Sequence, residues 1–148
     1  MKLSSRLVLF LDIDGVMHRA ENGSFENMPH LKWLLDYLPD LHLVISSDWR
    51  LTMDEAALLA LFPMGIRSRI VGTTPYLRGQ PREQECRQFA LEHGVARYLA
   101  VDDDTTVFSS GCPFLVQTNR YIGLDRAVAE RIVEQFATSS WTRKPYYG

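Results

Sequence analysis

At 148 residues and 17.0 kDa the chain has the length of one domain, enough to bury a core without disulfides or a structural metal. Hydrophobic residues make up 46% and charged residues 23%, a balance that excludes a disordered or fibrous protein. The formal charge of −2, with no basic run, gives no support to a long polyanion-binding stripe and leaves only short nucleic-acid contacts open.

Leu7 to Leu11 is an unbroken apolar run that ends on aspartates, the pattern of a strand buried on both faces of a parallel sheet. It is far shorter than the ~20 apolar residues that span a bilayer, and no signal peptide precedes it, so no membrane partner is expected and the cytoplasm is the expected compartment. Pro29 opens a helix with Leu31, Leu34, Leu35 and Leu38 at helical spacing, and Pro39 closes it. Leu41 to Ile45 reads as a second strand ending in Ser46-Ser47. Thr52, with Glu55 three residues on, predicts a capping box for the next helix.

A short strand around Ile70-Val71 leads through a loop containing Pro75 and Gly79 to a helix with Pro81 in its first turn and Gly94 just past its end. Cys86 in that helix and Cys112 in a later loop make no metal or redox spacing and read as reduced structural thiols. Tyr98 to Val101 forms a strand ending at Asp102, Phe114 to Val116 a last one, and Asp125 caps a helix presenting Val128, Ile132, Val133 and Phe136. Strands alternating with helices predict a single α/β domain over 1–148, a Rossmann-like, doubly wound three-layer sandwich around a parallel sheet. Its core spans about 7–136, and 137–148 form a tail.

Polar residues fall where such a sheet binds ligands. Asp12 and Asp14, Ser46 and Ser47, and Asp102 and Asp103 each end a different predicted strand, and in this architecture those ends converge. Carboxylates brought together repel one another unless a cation neutralises them, which implies a hard, oxygen-liganded metal. Mg²⁺ suits the site because it takes one or two carboxylates, keeps several waters and accepts a substrate phosphate oxygen. Next to it, Asp12 can attack phosphorus and form an aspartyl-phosphate, and Asp14 can protonate the leaving oxygen and later deprotonate water. Ser46 can donate a hydrogen bond to a phosphoryl oxygen, and Arg82, at a helix start, can set a fixed positive charge on another.

These residues resemble the haloacid dehalogenase superfamily of phosphohydrolases. Phe10-Leu11-Asp12-Ile13-Asp14-Gly15-Val16 is similar to its first motif, Val44-Ile45-Ser46-Ser47 to its second, Arg82 to the basic residue of its third, and Val101-Asp102-Asp103-Asp104 to its acidic fourth. The resemblance implies a Rossmann-like fold, an aspartyl-phosphate on Asp12, acid/base work by Asp14, and Mg²⁺ held by Asp12, the Asp14 carbonyl and the Asp102/Asp103 pair, with Asp103 preferred. More narrowly, Ser46-Ser47-Asp48-Trp49-Arg50 and the late Gly123-Leu124-Asp125 helix resemble the small domains of this kind in bacterial "Swiss army knife" RNA-repair proteins.

Ser46 against Ser47, and Arg82 against Arg78 or Arg87, stay open on sequence grounds. Ser47 and Arg50 are the expected substrate contacts, the other reading being a core-packed Trp49 beside a solvated arginine. His18 is expected at the surface, and His30, His42 and His93 read as structural. About twenty-five residues separate the first motif from the second strand and about thirty-five separate Ser46 from Arg82, which leaves no room for a cap domain. An open site is expected to take a phosphorylated substrate presented on something large, such as a nucleic-acid end or a phosphoprotein. The rivals are a module that binds Mg²⁺ and phosphate without turnover, a phosphotransferase to an acceptor other than water, and an end-processing component of a nucleic-acid repair system. Oligomeric state leaves no mark in the sequence.

Overall fold

A computed structural model describes residues 3–19 and 22–138. Strand β1, Leu7–Leu11, lies at the centre of a five-stranded sheet with β2, Leu41–Ile45, and β3, Ile70–Thr73, on one side and β4, Arg97–Asp102, and β5, Leu115–Gln117, on the other. Every pairing is parallel, and Leu11 lies level with both Ile45 and Val101. The order β3-β2-β1-β4-β5 places the reversal of winding between β1 and β4, where an open α/β sheet forms its ligand crevice.

Val8, Leu9, Phe10 and Leu11 are fully buried, each contributing ~1.5–3 kcal/mol on leaving water, so the strand that carries Asp12 is anchored on both faces. Helix α1, Met28–Tyr37, packs on the C-terminal helix α6, Arg126–Thr138. Helix α5, Arg82–His93, meets the sheet through Phe89, whose ring stands edge-on to Phe10 at 5.8 Å. Crossovers of one hand on either side of the switch put α1 and α5 on opposite faces. Asp125 caps α6 by accepting the Val128 N–H at 3.0 Å, and Gly94 ends α5 in the left-handed region, φ 65°.

Between β2 and β3 the chain makes three short helices, α2 (Trp49–Thr52), α3 (Glu55–Leu59) and α4 (Met64–Arg67). The capping expectation is corrected here: Asp54, not Thr52, caps α3, accepting the Ala57 N–H at 2.8 Å. Thr52 is itself helical, and its hydroxyl donates back to the Trp49 carbonyl at 3.3 Å, whereas the extended backbone of Asp54 aims its carboxylate at the helix start. Among the described residues no cap domain interrupts the fold and no helix is long and apolar enough to cross a membrane. The expected tail lies, from residue 139 onward, outside the described residues.

Candidate active site

Asp12 follows β1 directly, and its N–H donates to the Val101 carbonyl at 3.2 Å, which fixes it beside the end of β4. Asp102 ends β4 and Asp103 leaves it, so the switch point brings together residues far apart in sequence. One carboxylate oxygen from each of Asp12, Asp102 and Asp103 lies within 4.8 Å of the others. Asp12 and Asp102 are buried, and Asp103 is half-buried.

Arg82, the first residue of α5, reaches the same spot. Its Nη1 donates to Asp102 Oδ2 at 2.8 Å and lies 3.9 Å from Asp12 Oδ2, and its Nη2 donates to Asp48 Oδ1 at 3.2 Å. A cation at a helix N-terminus opposes the macrodipole, and these carboxylates offset that cost. Arg78 is exposed, and Arg87 pairs with Glu83 and lies over the Phe114 ring, so Arg82 is the one of the three that meets the aspartates.

Burial, and then the neighbouring Asp102 charge, push the Asp12 carboxyl well above the ordinary aspartate range, against the pull of Arg82. Asp102 is raised too, by burial, with Arg82 and the Asp104 N–H opposing. Three carboxylates against one guanidinium leave two negative charges in a space of a few ångströms. A divalent, oxygen-seeking cation answers that set of donors, so these residues fit the metal that the sequence implies.

A polar cavity of about 460 Å³ opens over the cluster, with Asp12, Asp14, Ser47, Arg82 and Asp103 in its wall. Ser46 is not in that wall. Both serines are buried where the chain leaves β2 and bends into α2; Ser47 lines the cavity, and its Oγ accepts the Trp49 N–H at 3.2 Å.

Arg50, expected at the substrate, turns inward. Its side chain is 4% exposed, and its five donors go to the carbonyls of Thr74, Ser46, Ser47 and Pro75 and, at 2.9 Å, to Glu85 Oε1. It ties α2 to α5 and the loop after β3, and it has no donor left over for a substrate.

Other residues went unread in the sequence. His18, expected at the surface, is fully buried with Nε2 2.7 Å from Asp14 Oδ1, and Trp49 Nε1 donates to Asp14 Oδ2 at 3.0 Å. The four-residue spacing of Asp14 and His18 is a weak signal, because a loop does not fix which side chains meet. Arg120, three residues beyond β5, lines the cavity with Asp48, Asp104 and Thr105; its place past a strand end was the available clue.

Gly15 lets Asp103 approach. It has φ 78°, its carbonyl accepts the Thr118 hydroxyl at 2.7 Å, and a Cβ there would overlap the Asp103 carboxyl group. Gly15→Ala is therefore expected to cost ~1–3 kcal/mol from the backbone conformation alone and to displace Asp103. Thermal melting, together with Mg²⁺ titration followed by calorimetry, would show both losses; a variant that melts and binds like the wild type would contradict the close approach.

The family described as "HAD domain in Swiss Army Knife RNA repair proteins" matches residues 8–129. No curated protein and no solved structure matches the chain.

Proposed function

Since the chain belongs to the family of HAD domains in Swiss Army Knife RNA repair proteins, we propose that it is a magnesium-dependent phosphate monoester hydrolase acting through an aspartyl-phosphate on Asp12. The observation that carries this reading is the convergence of Asp12, Asp102 and Asp103 at the switch point with Arg82 against them. Mg²⁺ would be held by Asp12, the Asp14 carbonyl, Asp103 and Asp102, and when bound it neutralises their charge and polarises a phosphoryl oxygen.

In the first half-reaction an Asp12 carboxylate oxygen forms a bond to phosphorus as the bond to the leaving oxygen breaks, and Asp14 passes its proton to that oxygen. In the second, water attacks phosphorus, its proton returns to Asp14, and the Asp12–phosphorus linkage breaks to release phosphate. The Ser47 hydroxyl and the Arg82 guanidinium hold the transferring oxygens; Arg82 Nε, buried without a protein partner, is a donor that an anion would satisfy.

An uncapped cavity supports a substrate larger than the site itself, and the description of the matching family supports a phosphorylated nucleic-acid end. Phosphate release from p-nitrophenyl phosphate and from a 3′-phosphorylated oligonucleotide, with Mg²⁺ and with chelator, tests the reading. Release is expected with Mg²⁺ and at background with chelator, and faster release from the oligonucleotide would indicate the nucleic-acid class. Silence on both substrates would leave a module that binds Mg²⁺ and phosphate without turnover.

A further inference from the structure

The Asp14 carboxyl group is gripped at both oxygens. His18 Nε2 lies 2.7 Å from Oδ1, and Trp49 Nε1 donates to Oδ2 at 3.0 Å. The Phe25 N–H donates to His18 Nδ1 at 3.3 Å, so Nδ1 carries no hydrogen and the ring's N–H is at Nε2, aimed at Asp14. Both donors sit on rigid rings packed among other rings: His18 stands 5.1 Å from Phe25 and 5.7 Å from Trp49, and Phe25 lies 5.6 Å from Trp49 and 5.7 Å from Phe62.

Phe25 carries an independent mark. Among the described residues it is the non-glycine with positive φ, 53°, a disfavoured conformation for a bulky side chain. Its surroundings hold it there, and that conformation presents its N–H to His18 while its ring covers His18 and Trp49.

We infer that His18 and Trp49 are positioning residues for Asp14, fixing the plane of its carboxyl group so that its free edge faces the cavity. The inference rests on the hydrolase reading above, in which Asp14 protonates the leaving oxygen. Each carboxylate oxygen has two lone-pair sites and each donor occupies one, so one on each oxygen remains. The Asp14 side chain is 38% exposed and lines the cavity, which is where those remaining sites are reachable. A carboxyl group free to turn in water would be aligned with the leaving oxygen only part of the time; two opposed, ring-borne donors remove that freedom.

Proton delivery matters most when the leaving group is a poor one. An alkoxide cannot leave without a proton, whereas a nitrophenolate can. Trp49→Phe, which deletes the N–H and keeps the ring, and His18→Leu are therefore expected to lower kcat/KM, which reports the first half-reaction alone, about 10- to 100-fold more on a 3′-phosphorylated oligonucleotide, an alkyl phosphate, than on p-nitrophenyl phosphate. His18→Gln, which restores a donor, is expected to recover part of the difference. Asp14→Asn gives the largest ratio the series can reach.

Trp49→Phe keeps the falsification open if His18→Leu fails to fold. Equal losses on the two esters, or none on either, would overturn the positioning role while leaving the hydrolase standing. A wild type that hydrolyses neither ester with Mg²⁺ would overturn the hydrolase reading and this role with it.

Discussion

Asp12→Asn is expected to remove turnover, by about four orders of magnitude or more, and at the same time to stabilise the cation-free protein. The first effect follows from chemistry: an amide oxygen of the same shape is a poor nucleophile toward phosphorus and leaves no acyl phosphate to hydrolyse. The second follows from electrostatics. Asp12 is buried beside Asp102, and both raise its pKa above the ordinary 3.8. A carboxyl group raised in the folded state supports folding below its unfolded value and loses that support as pH climbs through the folded value.

Without cation, the wild type is therefore expected to melt at a lower temperature as pH rises above about 4, and the asparagine variant to lose less over the same range. Mg²⁺ should restore the wild type and raise its melting temperature more than that of the variant. Melting curves at pH 5 and pH 8, with Mg²⁺ and with chelator, separate these terms. A variant less stable than the wild type under chelator would mean that Asp12 is held by its neighbours rather than opposed by them.

Arg82→Met has the second large effect. The Asp102 side chain is 1% exposed and takes its charged partner from Arg82, so removing the guanidinium leaves a buried carboxylate without one. Breaking such a pair costs ~3–5 kcal/mol, or about 10 °C in melting temperature for a domain of this size. Turnover should fall by about 10²–10³ as the charge on the phosphoryl oxygens disappears. Adding Asp102→Asn to Arg82→Met should return most of the stability and none of the activity, and the coupling energy from that double-mutant cycle measures the pair. Near-additive losses would show that Arg82 acts chiefly on Asp12, 3.9 Å away.

The parts of the site that could be read in advance share a physical basis. Asp12 and Asp102 end apolar runs, and a run buried on both faces can only be an interior strand whose end opens on the crevice. Strand order then brought the two together without further information.

What the sequence left open or placed otherwise turns on side-chain direction. Ser46 and Ser47 are indistinguishable by type, and it takes the bend after β2 to put Ser47 in the cavity wall. Arg50 looks like a phosphate-binding group by chemistry, but it turns inward because the loop carbonyls and the buried Glu85 need its donors. His18 is polar and in a loop, two reasons to place it outside. It is buried because Asp14 and the Phe25 N–H satisfy both ring nitrogens, a fact of tertiary structure. Thr52 and Asp54 are both capping residues by type, and backbone conformation chose between them.

The position of β1 between β2 and β4 also has a consequence in time. Asp12 is translated some ninety residues before Asp103, and the two meet only when β4 has inserted beside β1. Until then β1 is paired along one side at most, with Val8, Leu9, Phe10 and Leu11 next to an unpaired strand edge open to other chains. On the ribosome the Asp12 carboxylate is thus present long before the carboxylates that complete the cluster around it. The half-made protein lacks the acidic cluster and is at its most adhesive over the same interval, and the arrival of β4 ends both conditions in one step.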